Sequence, residues 1–251
     1  MKEEKINELL FRLADDQLII GHRNSEWTGM GPLLEEDIAF SSMAQDKIGH
    51  SLAIYQLLEA NGCGTPDQLA FLREREEYKN SILTELPNTD FAFSLTRQFL
   101  FDTAEALRMK DLESSSYAPL AALAKKIKGE LMYHVIHGNT WLKKLGNGTE
   151  DSIQRMQAAF DQLIPYALGM FESFDDESDL ISQGVYSGES KLLDTWKAIV
   201  EEKVGETEIR LNKWDSYSVE NGGRHGKHTE HLQQLIDEMS EVIKIDPNAE
   251  W

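Results

Sequence analysis

One stretch of the sequence constrains the fold more than any other. Residues 33–58 read LLEEDIAFSSMAQDKIGHSLAIYQLL, with no proline and with no glycine before Gly49. Apolar residues recur there every three or four positions, a period that predicts one long helix within a bundle of helices. Its buried stripe is expected to consist of Ile38, Ile48, Leu52 and Tyr55. An adjacent stripe, also expected to be buried, mixes polar with apolar residues and consists of Glu36, Phe40, Met43, Lys47, His50 and Ile54.

The same helical period predicts three further long helices. They are expected at about residues 2–27, 91–112 and 119–145. Shorter helices are predicted at about residues 65–77, 149–171, 191–209 and 229–243. The remaining segments are predicted as a connection at 78–90, an exposed acidic excursion at 174–190, an irregular region at 214–227 and an extended tail at 247–251. No strand pattern competes with the helices, so we predict a single all-α domain over residues 1–251, built on four long helices.

The composition limits the partners that the chain could bind. It has 44 acidic and 25 basic residues, and a net charge of −19 argues against nucleic acid and against an anionic membrane surface. A single cysteine, Cys63, excludes a disulfide within the chain and fits a reducing compartment. Residues 1–16 lack the apolar core of a signal peptide, and no long apolar run could span a membrane. We therefore expect a cytoplasmic protein.

Polar residues fall on or beside the apolar stripes of all four long helices. They are Glu26, Asp46, Lys47, His50, Asp102, Glu130 and His134. A bundle would bring such residues together, and carboxylates with two imidazoles from four helices form a carboxylate-bridged di-iron site. Hard oxygen ligands suit both oxidation states of iron, and such a site leaves coordination positions open for dioxygen.

The ligand pattern is nevertheless incomplete. In a di-metal bundle two helices each supply Glu-x-x-His, but here Lys47 precedes His50 by three residues and Leu131 precedes His134 by three. An ammonium group would place positive charge where the dications should lie. We therefore predict a metal-free polar network in which Lys47, with one or two protonated histidines, neutralises the buried acids. The simpler alternative is that some of these side chains face solvent.

A second group of histidines lies near the C-terminus. His225, His228 and His231 are spaced by three residues, as in some zinc sites. On a helix this spacing rotates each side chain by about 60° relative to the last, so the three do not converge well. We prefer the interpretation that Thr229 caps a helix there and that His231 packs at its start. Cys63 has no activating base nearby in sequence and is interpreted as a loop thiol.

Several sequence runs together resemble one known family. They are LADD at 13–16, GHRNSEW at 21–27, LEEDIA at 34–39, LGNGTE at 145–150, RMQAA at 155–159 and GKHTEHL at 226–232. In order and spacing they are similar to the non-catalytic, ferritin-like subunit of bacterial phenylacetyl-CoA monooxygenase, the 1,2-epoxidase of phenylacetate degradation. The resemblance covers nearly the whole chain, and it implies a ferritin-like four-helix bundle with additional C-terminal helices.

The resemblance also implies how each polar residue should be interpreted. In that family two homologous subunits pair, and the catalytic one carries the di-iron site and binds the acyl-CoA. Against its motifs, Glu26, His50, Asp102 and His134 match ligand positions, whereas Lys47 and Leu131 replace the two glutamate ligands. Asp46 and Glu130 remain as members of a polar network. The match therefore implies a degenerate di-iron site with no catalytic residue, no metal and no cofactor in this chain.

Three hypotheses for the function follow from these observations. The first is a structural subunit that forms a heteromer with the catalytic di-iron subunit, with a reductase component acting indirectly and a homodimer also possible. The second is an independent ferritin-like metal-binding oxidase with an atypical ligand set. The third is an acidic helical protein that self-associates and has no redox role.

Overall fold

A computed structural model describes residues 2–246 of the chain, and for residues 2–4 only the backbone. All regular secondary structure in this range is helical, which confirms the predicted all-α class. The α-helices are α1 (Lys2–Ser25), α2 (Leu34–Ala60), α3 (Pro66–Phe71), α4 (Ile82–Glu85), α5 (Phe91–Leu112), α6 (Ala118–Gly146), α7 (Glu150–Gly169), α8 (Glu177–Ser182), α9 (Glu189–Gly205) and α10 (Glu230–Ile245). Within residues 2–246, no helix has both the length and the apolar composition needed to cross a lipid bilayer.

The four longest predicted helices form a bundle. α1 packs mainly on α2, and α5 packs mainly on α6, while α2 also contacts α6. Helices α7 and α9 cover the other side of α5. One continuous cluster of buried apolar side chains joins these helices, as expected for a bundle with additional helices. That all 251 residues form one domain stays a prediction, and the proposed tail at 247–251 lies outside the described residues.

Capping residues set where the helices begin. The Asp90 carboxylate accepts from the Phe93 N–H at 2.8 Å and starts α5. Thr149 and Thr229 cap α7 and α10 in the same way. Thr65 forms the predicted capping box with Gln68 at the start of α3. Because the start of α5 fixes the rotation of every later side chain, its cap also places the polar residues that this helix carries into the core.

The predicted buried stripe of α2 is wrong in three of its four members. Ile38 and Leu52 are 60% and 47% exposed, Ile48 is also exposed, and only Tyr55 is buried. The adjacent, more polar stripe is buried in all of its members, as predicted. Burying polar side chains is costly unless they are hydrogen-bonded, and neighbouring helices supply the partners that make this orientation stable.

The segment 174–190 is not the exposed excursion that its acids suggest. It contains α8, and four of its large side chains are buried, namely Phe174, Leu180, Val185 and Tyr186. The guanidinium of Arg12 lies 4.3 Å from the ring centre of Phe174. The acidic residues between these four side chains suggested that the segment is exposed to solvent. Burial of the apolar side chains holds it against the bundle instead. The connection 78–90 likewise contains a helical turn, α4, and buries Leu83.

Buried ion pairs attach the peripheral segments to the bundle. Arg224, from the irregular region before α10, donates to Asp16 of α1 at 2.7 Å. Arg108 of α5 donates to Glu189 at the start of α9 at 2.8 Å. Because removing one partner of such a pair leaves a buried charge uncompensated, these contacts hold the additional helices firmly on the bundle.

Candidate functional site: a buried polar network at the metal-ligand positions

A buried ion pair joins α2 to α5 in the bundle core. The Lys47 ammonium donates to Asp102 Oδ1 at 2.6 Å, and neither side chain is more than 1% exposed. The Phe101 ring lies beside it, with its centre 4.7 Å from Lys47 Nζ. Each charge therefore has its counter-charge within the protein, where an unpaired charge would cost several kcal/mol.

Two amides extend this pair toward α1. Gln98 of α5 donates to the second oxygen of Asp102, and its own carbonyl accepts from Asn24 of α1 at 2.7 Å. All of these side chains are buried. The carboxylate of Asp102 is thus held by a cation from α2 and by an amide on its own helix, and the amide is oriented from α1.

Two histidines connect α2 to α6, and each bonds to the acid of the opposite helix. His134 Nε2 lies 3.0 Å from Asp46, and His50 Nε2 lies 2.5 Å from Glu130. Since a carboxylate can only accept, both rings donate through Nε2. The sequence grouped each histidine with the acid four residues earlier on its own helix. Side chains four residues apart project from the same face of a helix. The acid and the histidine of α2 therefore both point toward α6, and each pairs with a residue of α6 rather than with the other.

A further polar bridge between α2 and α6 was not predicted as a contact. The buried Glu36 carboxylate accepts from His137 at 2.8 Å and from the Trp141 indole at 2.7 Å. From Glu36 to Asp46 to His50 along α2, the partners on α6 are His137, His134 and Glu130. The partner numbers fall as the α2 numbers rise, so the two helices run antiparallel. Glu36 belongs to the polar stripe of α2, and this membership was the one sequence signal that could have identified it.

Burial determines the charge of the two histidines. It lowers the pKa of His134, against the opposing effect of the Asp102 carboxylate. It also lowers the pKa of His50, against the opposing hydrogen bond to Glu130. The lowered pKa favours the neutral form of both rings, which argues against the expectation that protonated histidines supply the positive charge. Lys47 supplies it, and its charge further lowers the pKa of both rings.

Two of the predicted site residues lie apart from this network. Glu26 follows the last residue of α1, is exposed, and bonds to Arg23 at 2.6 Å and to Asn88 at 2.8 Å. The end of α1 turns it away from the core, so the structure does not bring it to Asp102. Leu131 is buried in the apolar core, at the α6 position three residues before His134.

These donors do not fit a di-iron centre. An ammonium group has no lone pair to offer a metal, and Lys47 occupies an oxygen of the one deeply buried carboxylate in the network. Leu131 offers no donor atom at all. In the part of the chain that the structure describes, no three His, Cys, Asp or Glu side chains are placed to hold a metal ion together.

Two of the C-terminal histidines, His225 and His228, contact different partners. His228 contacts Glu85 at 3.3 Å and the carbonyl oxygen of Tyr78 at 2.9 Å. His225 lies 3.6 Å from Glu172 instead. Thr229 caps α10 by accepting from the backbone N–H of His231, which confirms the predicted cap.

Comparison with known proteins agrees with this architecture. The family model described as "Phenylacetic acid catabolic protein" matches residues 1–251. The chain is 32% identical to the C subunit of 1,2-phenylacetyl-CoA epoxidase from Escherichia coli K12 over 241 residues, which is 96% of each chain. It is 29% identical to the A subunit of the same enzyme over 153 residues, covering 61% of this chain and 49% of that relative. The chain therefore belongs to the phenylacetic acid catabolic protein family.

Proposed function

We propose that this chain is the structural, non-catalytic subunit of a multicomponent di-iron monooxygenase that epoxidises the ring of phenylacetyl-CoA in phenylacetate catabolism. It pairs with the homologous catalytic subunit, stabilises that subunit's bundle and contributes no metal ligand of its own. The two E. coli relatives carry the names of two different subunits of 1,2-phenylacetyl-CoA epoxidase, which supports the reaction and the existence of two related subunits.

One observation carries the non-catalytic part of the proposal. The ammonium of Lys47 lies 2.6 Å from Asp102 in the buried core, where a functional centre would place a cation of its own. A di-iron oxidase also needs open coordination positions for dioxygen, and an ammonium with an apolar leucine beside the network provides none. The side chain of Lys47 thus performs the electrostatic task of metal ions without their redox chemistry.

The remaining polar residues have a structural task under this proposal. The crossed pairs His50–Glu130 and His134–Asp46, together with the Glu36 bridge, hold α2 against α6. Hydrogen bonds to charged groups contribute about 1.5–3 kcal/mol each to stability. A rigid bundle of this kind presents a fixed surface to a partner, and no residue of the network needs to transfer a proton.

A second candidate function is an independent ferritin-like oxidase, and one observation favours it. The Nδ1 atoms of His50 and His134 are buried and have no hydrogen-bond partner among the described residues. Nitrogen atoms left free in this way are what a metal-ligand position would show. Against this candidate, the positive charge of Lys47 acts on both rings, and a dication near them would be repelled by it.

The two candidates differ in what the histidines contribute to turnover. We would substitute His50→Gln and His134→Gln together, co-express the variant with the catalytic subunit and a reductase, and measure epoxidation by the purified heteromer. A structural subunit should leave turnover within about twofold of wild type, because glutamine keeps one N–H donor for each acid. A loss of about tenfold or more, in a heteromer that stays intact, would contradict the proposal. Removing an iron ligand from the catalytic subunit is the positive control for loss.

Pairing itself is tested by sedimentation velocity with the two purified chains. Under the proposal they migrate as one heteromer at micromolar concentration. If they migrate separately, the structural-subunit proposal fails. A species that contains only this chain would favour the third hypothesis, a self-associating helical protein.

A further inference from the structure

We propose that the outward-facing side of α2 is the surface on which the homologous catalytic subunit docks. This outer face of α2 is defined by Leu34, Ile38, Gln45, Ile48, Gly49 and Leu52. The inference rests on the proposed function, since it names the surface through which that function would act.

The outer face of α2 is apolar and exposed. Leu34 is 72% exposed, and Ile38, Ile48 and Leu52 are exposed along the same side of the helix. From Leu34 to Leu52 the helix rises by about 27 Å, at 1.5 Å per residue. The exposed apolar residues form two pairs on this face, Leu34 with Ile38 and Ile48 with Leu52, with the uncharged Gln45 between the pairs. Single exposed apolar residues are normal on a protein surface, but several grouped on one face indicate an interaction site.

The same face lacks charge over most of its length. Between residues 38 and 56 the exposed side chains of α2 are apolar, glycine, serine or glutamine. The two charged residues in that interval, Asp46 and Lys47, bond inward to His134 and Asp102. In a chain with 27% charged residues, an exposed helical face without any charge is unusual. Depletion of charge is characteristic of the core of a protein–protein interface.

Gly49 lies at the middle of this face. A Cβ atom there would meet nothing within 4 Å, so packing within the chain does not require glycine. Glycine inside a helix costs about 1 kcal/mol relative to alanine. Close approach of a partner would explain why this position carries no side chain.

Clefts flank the outer face of α2 on both sides. One, of about 200 Å³, lies between α2 and α6; it is lined on the α2 side by Gln45, Gly49 and Ala53 and also holds the polar side chains of Asp46, His50, Lys126 and Glu130. The other, of about 170 Å³, lies toward α3 and is lined by Ile48 and Leu52. A ridge between two clefts is the shape that another helix packs against, ridges into grooves.

The net charge of this chain argues against a second copy of it as the partner on this face. Each copy carries a net charge of −19, so two copies repel each other as they approach. The partner we propose is a related helical bundle that presents an uncharged helix face of similar length. The 29% identity over 153 residues to a second, differently named component of the E. coli epoxidase shows that related chains exist within one enzyme.

The test places charge on the outer face of α2. The double variant Ile38→Glu/Leu52→Glu is compared with wild type for its Kd with the catalytic subunit, measured by analytical ultracentrifugation. We expect affinity to fall by about 100-fold or more, because two unpaired carboxylates would be buried in the interface. The matched control is Ile181→Glu/Val242→Glu, which changes two apolar residues of similar exposure on α8 and α10. The control should stay within about threefold of wild type, and circular dichroism checks that both variants fold.

The outcomes separate the two proposals. If wild type binds the catalytic subunit and Ile38→Glu/Leu52→Glu binds equally well, the docking face is wrong and the proposed function stands. If wild type shows no binding at all, the proposed function falls and the docking face falls with it. A homodimer of wild type that the double variant disrupts, without any binding to the catalytic subunit, would overturn the choice of partner.

A labelling experiment tests the same face without disrupting it. Gln45→Cys, in a Cys63→Ser background, is alkylated by a maleimide with and without the catalytic subunit. Docking on the outer face should slow alkylation by about tenfold or more, because the thiol is then shielded from solvent. Val242→Cys in the same background should react at an unchanged rate. Equal rates at Gln45→Cys in the two conditions, with the heteromer formed, would contradict the proposal.

Discussion

The two faces of α2 differ in how their side chains are satisfied. On the inner face, Glu36, Lys47 and His50 are buried, and each bonds to a side chain of α5 or α6. On the outer face, Ile38 and Leu52 are apolar and remain exposed to solvent. For these residues the usual arrangement of an amphipathic helix is reversed, because charged or polar side chains are buried among apolar ones while apolar side chains are exposed.

This reversal separates two tasks of one helix. Buried charges are tolerated only when they are paired. Each charged side chain of the inner face therefore depends on a partner from another helix of the same chain. The exposed apolar face gains nothing from folding and would gain from association, since burying apolar surface stabilises by about 25 cal/mol per Å². The inner face therefore serves stability, and under our proposal the outer face serves assembly.

The largest effect is expected from breaking the central pair of the inner face. Lys47→Ala leaves the Asp102 carboxylate buried and without its cation, so we expect a loss of about 3–5 kcal/mol in the free energy of unfolding. Urea denaturation at pH 7 measures it. Lys128→Ala removes a half-exposed lysine that lies 2.9 Å from Glu113, and it should cost about 1 kcal/mol or less. Similar losses for the two variants would show that the central pair is not what holds the inner face.

Removing both partners should restore much of that stability. In Lys47→Met/Asp102→Leu no buried charge is left, and such replacements of a buried ion pair are often neutral or stabilising. We expect the double variant to unfold at a higher urea concentration than Lys47→Ala. A double variant less stable than the single one would mean that packing, rather than the uncompensated charge, dominates the loss.

Neighbouring glutamates allow a smaller, matched comparison of inner and outer positions. Glu36→Ala removes the acceptor of both His137 and Trp141, and we expect a cost of about 1.5–3 kcal/mol. Glu35→Ala removes an exposed acid from the same first turn of α2 and should change stability by about 0.5 kcal/mol. Thermal unfolding of both variants tests the difference, and equal melting temperatures would contradict it.

The inner face also predicts a pH dependence. Burial lowers the pKa of His134 and of His50 below the value near 6.5 of an unfolded chain, so the unfolded state binds more protons in acid. The stability that comes from the neutral rings is present above about pH 6.5 and is lost as pH falls toward 5, by about 1.4 kcal/mol per pH unit for each ring.

Single variants isolate this contribution from that of other titrating groups. His134→Gln should flatten the decline of unfolding free energy between pH 7 and 5 relative to wild type. Gln234→Ala, at an exposed residue that carries no titrating group, should leave the slope unchanged. If the slopes of wild type and His134→Gln coincide, folding does not lower the pKa of this ring, and the explanation from burial is wrong.

The smallest effect is expected at the outer face in the isolated chain. Gly49→Ala should stabilise it by about 0.5–1 kcal/mol, because a methyl group there meets no other atom and glycine disfavours a helix. Gly49→Leu should also fold, yet weaken pairing with the catalytic subunit. Loss of stability on Gly49→Ala would mean that the chain itself needs the glycine.

Much of the fold could be predicted from the sequence, because helical period and capping residues are local signals. α5 begins and ends where the sequence predicted, since Asp90 caps its start. The position of α2 and the burial of its more polar stripe were also predicted, but the exposure of the other stripe was not. Period alone cannot choose between two faces when the choice depends on partners from α5 and α6. The apolar pattern predicted that Ile38 and Leu52 are buried, but in the isolated chain both are exposed to solvent.

Most residues of the candidate site were predicted, but the contacts between them were not. Lys47, Asp102, His50 and His134 do come together in one network. The crossed pairing of histidines with acids depends on the antiparallel register of α2 and α6, which no local signal encodes. The outward turn of Glu26 depends on where α1 ends, and this is a boundary that period defines poorly.

The most direct test of the central claim is the iron content of this chain after anaerobic incubation with ferrous iron and gel filtration, compared with Lys47→Glu/Leu131→Glu. We predict that wild type retains no iron above the background of a control protein, because Lys47 occupies the carboxylate that a metal would need. The double variant, which restores both glutamate positions, should retain iron. Wild type that retains about two iron atoms per chain, the complement of a di-iron bundle, would contradict the account.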